Sequence, residues 1–301
     1  MKVALTGASG FLGPVLVQRL LERGHTVHVL ARDVKRALGR LPQGVSGSFF
    51  DATTPLSPDA LGGAEAVVHL AGEPVAQRWT EAARQRIRDS RVVGTRLLVE
   101  ALRAGGTVRH FVSASAIGYY GADRGAEPLT ESSSPGEDFL AGVCRAWEAE
   151  ALEAAAAGIR TVLPRIGLVL HPEGGALKQM LPLFRLGLGG KMGSGRQYLS
   201  WVHREDTLGL LLFALEQPEL SGPMNVTAPE PATNADFSRA LGAALHRPAM
   251  VPVPSFALKL AVGQMSEVVL GGQRVVPRRA LEAGYRFQFP TLPEALRSLV
   301  G

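Results

Sequence analysis

The feature that most constrains this chain is a set of three glycines, spaced three residues apart, between its first strand-like and first helix-like segments. Residues 3–6 form a short apolar run, and residues 6–13 read TGASGFLG. Residues 11–23 then carry apolar side chains at helical spacing and are followed by Gly24, a residue that commonly ends helices. This order of strand, glycine turn and helix predicts a chain built from alternating strands and helices.

Each glycine of the turn has its own physical reason. Gly7 permits a tight turn, Gly10 lets the backbone approach a pyrophosphate, and Gly13 lets the helix pack closely on the sheet. The free N–H groups and the dipole at a helix start favour an anion there. The turn therefore predicts a dinucleotide site formed by Thr6, Gly7, Ser9, Gly10, Phe11, Leu12 and Gly13.

The rest of the first half repeats the alternation. We predict further strands at residues 26–31, 66–70, 109–114 and 160–164, and long helices at 81–104 and 138–157. Repeated strand–helix–strand units with right-handed crossovers imply an α/β fold, a doubly wound parallel sheet of Rossmann type. Ligands of such sheets bind beyond the carboxyl ends of the strands.

The regularity decreases after about Gly167, where glycine and proline become frequent. We assign residues 1–167, with part of 200–227, to a dinucleotide-binding domain. Residues 168–199 and 228–301 are predicted to form a smaller region that caps the substrate site. Helices are expected at 208–216, capped by Asp206 or Thr207, and near 236–245 and 256–265.

Composition limits the classes of function. The formal charge of +5 comes from dispersed lysines and arginines without a dense basic run, so nucleic-acid binding is not expected. The single cysteine, Cys144, excludes an intrachain disulfide, and no apolar run is long enough for a membrane span. We expect a cytoplasmic monomer or homodimer. Neither metal-ligand spacing, a Gly-x-Ser-x-Gly elbow nor a Walker loop is present.

The end of the second predicted strand selects the cofactor. An acidic residue there binds the ribose 2′-hydroxyl of NAD, whereas an arginine suits the 2′-phosphate of NADP. The strand at 26–31 is followed by Arg32, whose guanidinium can form charge-assisted, bidentate contacts with phosphate. We therefore predict NADP(H). The alternative is that Asp33 reads the ribose and Arg32 is an ordinary surface residue.

Several motifs resemble those of the extended short-chain dehydrogenase/reductase family: TGASGFLG, HLAG at 69–72, SAS at 113–115 followed by YYG, and SWVHRED at 200–206. LAGEP, SRVVGTR, WEAEA and FRLGLGGKMGSGRQYLSWVH resemble an atypical branch called the epimerase family, which has its own C-terminal domain. The resemblance covers essentially the whole chain. It implies NADPH binding at Arg32, Leu70, Ala71 and Arg91, and the adjoining Gly72 and Glu73 are added as candidates.

One part of the family pattern is missing. The family's chemistry uses a Tyr-x-x-x-Lys pair, in which the tyrosine exchanges a proton with the substrate oxygen and the lysine lowers the tyrosine pKa. Counting back from Glu148, taken as the glutamate that follows this pair, puts Leu140 in the tyrosine position and Cys144 in the lysine position. Neither side chain can take over the missing role.

Two functions remain open from the sequence. The first is an NADPH-dependent oxidoreductase or epimerase acting on a small carbonyl or sugar-like substrate. In that case Ser115 is the expected hydrogen-bond donor, and Tyr120 or its neighbour Tyr119 is the expected substitute acid. The second is a non-catalytic NADP(H)-binding regulator or sensor, which the missing pair favours.

Overall fold

The chain folds around a parallel β-sheet whose strands are connected by helices. The computed structural model describes residues 1–301 apart from the side chains of residues 261 and 262. Its strands are β1 (Lys2–Thr6), β2 (Thr26–Ala31), β3 (Ser46–Phe49), β4 (Ala66–His69), β5 (His110–Ser113), β6 (Ser115–Ala116), β7 (Pro128–Leu129), β8 (Arg160–Ile166), β9 (Leu168–Leu170), β10 (Tyr198–Leu199), β11 (Trp201–His203), β12 (Gly222–Val226), β13 (Ala232–Thr233) and β14 (Arg274–Val275).

The strand order defines the type of sheet. The central strands run β12-β8-β5-β4-β1-β2-β3, all parallel, and the short β6 adds to β8. The chain starts in the middle, moves to one edge through β2 and β3, and then returns to the other side of β1 at β4. This reversal is the switch point at which Rossmann folds bind dinucleotides, and the predicted fold class is confirmed.

Helices cover both faces of the sheet. The helices of the described residues, on the sheet and in the C-terminal part together, are α1 (Gly13–Glu22), α2 (Val34–Leu38), α3 (Glu81–Gly105), α4 (Phe139–Ala156), α5 (Gly175–Arg185), α6 (Arg204–Glu216), α7 (Asn234–Ala244), α8 (Ser255–Val262), α9 (Ser266–Leu270), α10 (Arg278–Glu282) and α11 (Leu292–Val300). Short 3₁₀ helices occupy Pro58–Leu61, Ile117–Tyr120 and Gly263–Met265. Among the described residues, no helix is long and apolar enough to cross a membrane.

Two separate cores lie on the two faces of the sheet, because successive side chains of a strand point to opposite faces. In β1, Val3 and Leu5 pack with α1 and α6, whereas Ala4 packs on the other face with α3. Both faces of the strand are thereby buried, which explains its continuous apolar run. Because the strands are parallel, their carboxyl ends lie at one edge of the sheet, where the candidate site lies.

A third core belongs to the C-terminal part of the chain. It packs α5, α7 and α11 around the fully buried Trp201, whose indole N–H donates to the carbonyl of Glu230. Its main buried side chains are Leu170, Leu177, Leu181, Phe184, Phe237, Leu241, Leu292 and Leu296. The division into a dinucleotide-binding domain and a capping region stays a prediction, and this core shows how the second half is held together.

The start of α6 differs from our prediction. The helix begins at Arg204, and the His203 side chain caps it by accepting from the backbone N–H of Glu205. Neither Asp206 nor Thr207 is the cap. Asp206 is instead fully buried and accepts backbone N–H groups of residues 288 and 289 at 2.8 and 2.9 Å, which ties the C-terminal segment to α6. Burial raises the pKa of the Asp206 carboxyl.

Candidate active site

The glycine turn between β1 and α1 leaves no room for a side chain at Gly7 or Gly13. Gly7 has a φ of +76°, and a Cβ there would lie 2.8 Å from the carbonyl carbon of Leu70. A Cβ on Gly13 would lie 2.3 Å from the Gly7 carbonyl oxygen. The N–H of Gly10 donates to that same oxygen at 2.9 Å, which closes the turn. The structure thus supplies the tight turn and the close helix packing that we predicted for these glycines.

The first turn of α1 is open to an anion. Its N-cap residue, Leu12, provides no side-chain acceptor, and no acidic residue lies in the first turn of this helix. Ser9 and Gly10 are exposed in the preceding turn. Phe11 is 36% exposed, and its ring lies against Gly174, where a Cβ would come within 2.3 Å of the ring. The turn therefore lies between the sheet and the segment that leads into α5.

Thr6 organises the neighbouring strand end instead of facing solvent. Its hydroxyl oxygen accepts the backbone N–H groups of Leu70 and Ala71, each at 3.1 Å, and it lies 2.7 Å from Nδ1 of His69. Because two N–H groups already donate to this oxygen, its own hydrogen goes to Nδ1, and Nε2 of His69 donates to Thr95 at 3.1 Å. Burial lowers the pKa of His69 to about 4, so the ring is neutral at pH 7.

The end of β2 presents the exposed guanidinium of Arg32. Asp33 accepts the backbone N–H of Arg36 at 2.9 Å and caps α2, so its carboxylate already has a structural role. Arg32 is exposed, and within the described part of the chain no carboxylate forms an ion pair with its guanidinium. This arrangement favours Arg32 over Asp33 as the residue that contacts the cofactor ribose. If Asp33 turned toward the ribose, α2 would lose its N-terminal cap.

The segment after β4 contacts α3. The backbone N–H of Glu73 donates to Ser90, and Arg91 donates to the carbonyls of Glu73 and Ile87 at 3.0 and 3.1 Å. A Cβ on Gly72 would lie 3.2 Å from the Arg91 guanidinium carbon. A hydrogen bond from Gln77, together with a hydrogen bond and the charge of Arg86 and the charge of Arg32, lowers the pKa of the Glu73 carboxyl. Burial lowers the pKa of Arg91.

A cavity of about 280 Å³ lies beyond the carboxyl ends of β6 and β8. Leu140 and Cys144, the residues at the positions of the family's tyrosine and lysine, both line it, as does Arg91. Burial raises the pKa of the Cys144 thiol to about 12, so it carries no charge at pH 7. Among the described residues, no group of three His, Cys, Asp or Glu side chains is placed to hold a metal ion.

The geometry does not support Tyr120 as the substitute acid. Its side chain is fully buried, donates to Asn225 at 2.7 Å and accepts from Arg165 at 3.0 Å. Burial raises its pKa to about 12, and it does not line the cavity. Ser115 is also buried and donates to Glu148 at 2.6 Å. Both hydroxyls therefore donate to buried side chains of the protein itself, and the sequence alone does not reveal these partners.

Sequence reasoning also missed a residue that the fold brings to the cavity. Tyr198, in β10, lines it together with Gln273, which lies 75 positions further along the chain. Tyr198 belongs to the segment FRLGLGGKMGSGRQYLSWVH, in which Lys191 and Arg196 are the other side chains that could contact an anionic substrate. Lys191 lines a different cleft, and Arg196 is exposed. A phenol in a glycine-rich segment that follows a Rossmann domain is the signal that could have identified Tyr198.

Comparison with known proteins fits this geometry. The sequence profile of the NAD dependent epimerase/dehydratase family matches residues 3–227, which include the glycine turn, the ends of β2 and β4, and α4. The chain belongs to this family. A domain of unknown function, DUF1731, matches residues 253–299 and therefore lies in the C-terminal part. The resemblance proposed from the sequence motifs, including a separate C-terminal domain, is confirmed.

Similar proteins extend over the whole chain. Epimerase family protein MT2273 of Mycobacterium tuberculosis is 42% identical over 98% of this chain and 96% of its own length. Epimerase family protein YfhF of Bacillus subtilis is 36% identical, with 100% and 98% covered. The crystal structure of human epimerase family protein SDR39U1 (isoform 2) with NADPH is 35% identical, covers 100% of this chain and 99% of that chain, and has a TM-score of 0.86. A UDP-galactose 4-epimerase at 20% identity, with a TM-score of 0.77, supports the fold alone.

Proposed function

We propose that this protein is an NADP(H)-dependent oxidoreductase that reduces a small carbonyl compound. The observation that carries the proposal is the cavity that lies beyond the strand ends of a complete dinucleotide-binding fold and is lined by the two positions of the family's catalytic pair. Cavities at the switch point of an α/β sheet usually bind small molecules. Oxidoreductases and epimerases of this fold both place their substrate there.

The residues present fit NADP(H). The pyrophosphate would lie against the turn of Gly7 and Gly10, where a side chain on Gly7 would meet backbone atoms and where the start of α1 has no side-chain cap. Arg32 would hold the 2′-phosphate, and Arg91 would face the cofactor from α3. The human relative, whose structure contains NADPH, supports this choice. Ser9, Phe11, Leu12, Leu70, Ala71, Gly72 and Glu73 stay proposed contacts.

The available groups favour reduction over oxidation. When bound, NADPH supplies a hydride to an electrophilic carbon. The protein must then provide a proton to the developing alkoxide, and a hydroxyl group is sufficient for that. The reverse reaction, and an epimerisation that starts by oxidising an alcohol, both remove a proton from a hydroxyl group, for which a base near neutral pH is needed. Leu140 and Cys144 do not supply the tyrosine–lysine pair that would provide this base.

The second candidate function is a non-catalytic NADP(H)-binding regulator. The same two residues favour it, because an apolar side chain and a neutral thiol stand where the family places its acid and its lysine. A monomeric or homodimeric state, a small-molecule partner and a cytoplasmic location stay predictions. One relative, from Arabidopsis thaliana, is named as chloroplastic.

A screen of aldehydes and ketones with NADPH distinguishes the two functions. We expect NADPH absorbance to decrease with at least one carbonyl compound, and the activity to disappear in Gly10→Val. A β-branched side chain at that position blocks the approach of the backbone to the pyrophosphate. NADPH binding without turnover of any carbonyl compound would refute the oxidoreductase and leave the regulator. No NADPH binding by the folded protein would refute both.

A further inference from the structure

The wall of the cavity beside Leu140 is mainly apolar. Aliphatic side chains from separate parts of the chain meet there: Val75, Ile117, Leu140, Val143, Leu168 and Leu199. The hydroxyl groups of a sugar would lose water on entering and would find hydrocarbon on most sides. Burial of a hydroxyl without a hydrogen-bond partner is unfavourable, whereas burial of ligand CH₂ groups against such a wall is favourable.

Most polar side chains on the wall already have partners in the protein. Asp138 accepts the backbone N–H groups of Ala122 and Ala141 at 2.6 and 3.0 Å, because it caps α4. The Ser200 hydroxyl donates to one main-chain carbonyl at 2.6 Å and accepts from one main-chain N–H at 2.9 Å. These groups hold the wall together and leave little hydrogen-bonding capacity for a polyhydroxylated ligand.

Charge and size point away from nucleotide sugars. Among the described residues of the wall, Arg91 provides the positive charge, and it already donates to two main-chain carbonyls and lies 5.3 Å from the ring centre of Trp147. A diphosphate would need more cationic partners. The volume of about 280 Å³ is near the lower end of the roughly 300–1,000 Å³ that is usual for ligand sites. A nicotinamide ring that entered the cavity would reduce this space further.

Tyr198 is the polar side chain on the wall that best suits a single substrate oxygen. It is half-buried in β10, which pairs with β13, and the Arg274 guanidinium lies 5.6 Å from its ring centre. Among the described residues, none forms a hydrogen bond with the Tyr198 hydroxyl, in contrast to the hydroxyls of Tyr120 and Ser115. A phenol can donate to a carbonyl oxygen without help from a charged neighbour.

We propose that the cavity binds an apolar carbonyl compound without phosphate or sugar groups, and that the Tyr198 hydroxyl donates a hydrogen bond to its carbonyl oxygen. This inference rests on the proposed oxidoreductase function and specifies its substrate class. It assigns the polar contact to a residue outside α4, the helix in which the family has its catalytic tyrosine. The small, apolar cavity favours a hydrocarbon ligand, and the Tyr198 hydroxyl provides a hydrogen bond for one ligand oxygen.

The test is a binding series with linear methyl ketones from 2-butanone to 2-octanone. Calorimetric titrations use the full-length protein saturated with NADP⁺, so that no reduction takes place. We expect the affinity to increase about fourfold with each added CH₂ group until the cavity is full. UDP-glucose should show no binding over the same concentration range. A separate titration with NADPH shows whether the cofactor site is intact, so that failure of the proposed function is distinguishable from failure of this inference.

Three variants locate the ligand. Leu140→Gln places an amide on the wall and should weaken ketone binding by about tenfold or more, whereas Leu152→Gln is a matched change on an exposed position of the same helix and should have no effect. Tyr198→Phe removes the hydroxyl and should weaken every ketone by a similar factor, about two- to tenfold, while the gain per CH₂ group stays the same. NADPH affinity should be unchanged in all three.

Several results would overturn the inference. NADPH binding combined with no ketone binding, or with tighter binding of UDP-glucose than of any ketone, would refute the apolar substrate class. Ketone affinities that do not differ between Leu140→Gln and Leu152→Gln would show that the ligand binds elsewhere. Unchanged ketone affinity in Tyr198→Phe would refute the hydrogen bond that we assign to Tyr198.

Discussion

The buried ion pair between Glu148 and Arg165 gives the sharpest prediction about the fold around the site. Glu148 accepts two hydrogen bonds of 2.8 Å from Arg165 and one of 2.6 Å from Ser115. The two charged side chains are 8% and 3% exposed. Replacing Glu148 with glutamine keeps the shape and removes the charge, so the Arg165 guanidinium stays buried without its counter-ion.

The burial of this ion pair determines how much Glu148→Gln should lower the free energy of unfolding. Removal of one partner from a buried ion pair typically costs about 3–5 kcal/mol, compared with a total unfolding free energy of about 5–15 kcal/mol for a protein. Glu150→Gln is the matched control, because Glu150 lies on the same helix and pairs with Arg96, whose side chain is 52% exposed. An exposed pair contributes about 0–1 kcal/mol, and salt screens it.

Urea unfolding followed by circular dichroism measures both effects. We expect Glu148→Gln to lower the unfolding midpoint strongly at low and at high salt, and Glu150→Gln to lower it slightly and only at low salt. Equal midpoints for the two variants would refute the interpretation of the Glu148 network as the buried support of this region.

Two further predictions concern pH and the glycine turn. His69 and His203 are buried, and burial lowers each pKa to about 4, below the ordinary value of about 6.5, so the unfolded state binds more protons between these values. The unfolding free energy should therefore decrease as pH falls from about 6.5 to 4, and equal urea midpoints at both ends of this range would contradict the assignment. In the turn, an added Cβ at Gly13 would lie 2.3 Å from a carbonyl oxygen, but one at Gly10 would lie 3.2 Å away. Gly13→Ala should therefore lower the melting temperature much more than Gly10→Ala, and similar melting temperatures would contradict this geometry.

Local signals in the sequence predicted the first half of the fold well. The strand expected at 26–31 is β2 (Thr26–Ala31), and the helix expected at 81–104 is α3 (Glu81–Gly105). Both have strong periodicity. The helix also has clear ends, since Thr80 caps its start and Gly105 and Gly106 end it. The glycine turn was equally readable, because its spacing reflects backbone geometry and not distant contacts.

Elements that depend on tertiary contacts were not predicted. Helix α5 (Gly175–Arg185) lies in a stretch rich in glycine and contains Pro182, and it is held by the packing of Leu177, Leu181 and Phe184 on the third core. Strand β3 (Ser46–Phe49) is a short edge strand of the sequence SGSF, which has no apolar run. Both are stabilised by neighbours that no local pattern reveals.

The candidate site also combines residues that local motifs predict with residues that only tertiary contacts bring together. Arg32 and the glycines follow from local motifs, and the structure leaves Arg32 exposed while Asp33 caps α2. The Tyr120 hydroxyl donates to Asn225, which is 105 positions away in the sequence, and no local pattern could predict this bond. The meeting of Leu140 and Tyr198 at one cavity likewise results from the packing of the C-terminal region over the sheet.

A comparison of NADPH and NADH affinity tests whether Arg32 selects the cofactor by binding its 2′-phosphate. Calorimetric titrations would use the unmodified protein, Arg32→Glu, and Arg297→Glu, which makes the same charge change at an exposed position on α11. We predict that the unmodified protein and Arg297→Glu bind NADPH at least about tenfold more tightly than NADH, which corresponds to one charge-assisted hydrogen bond. Arg32→Glu should lose or reverse this preference. Equal affinity of the unmodified protein for the two cofactors would show that Arg32 does not bind the 2′-phosphate.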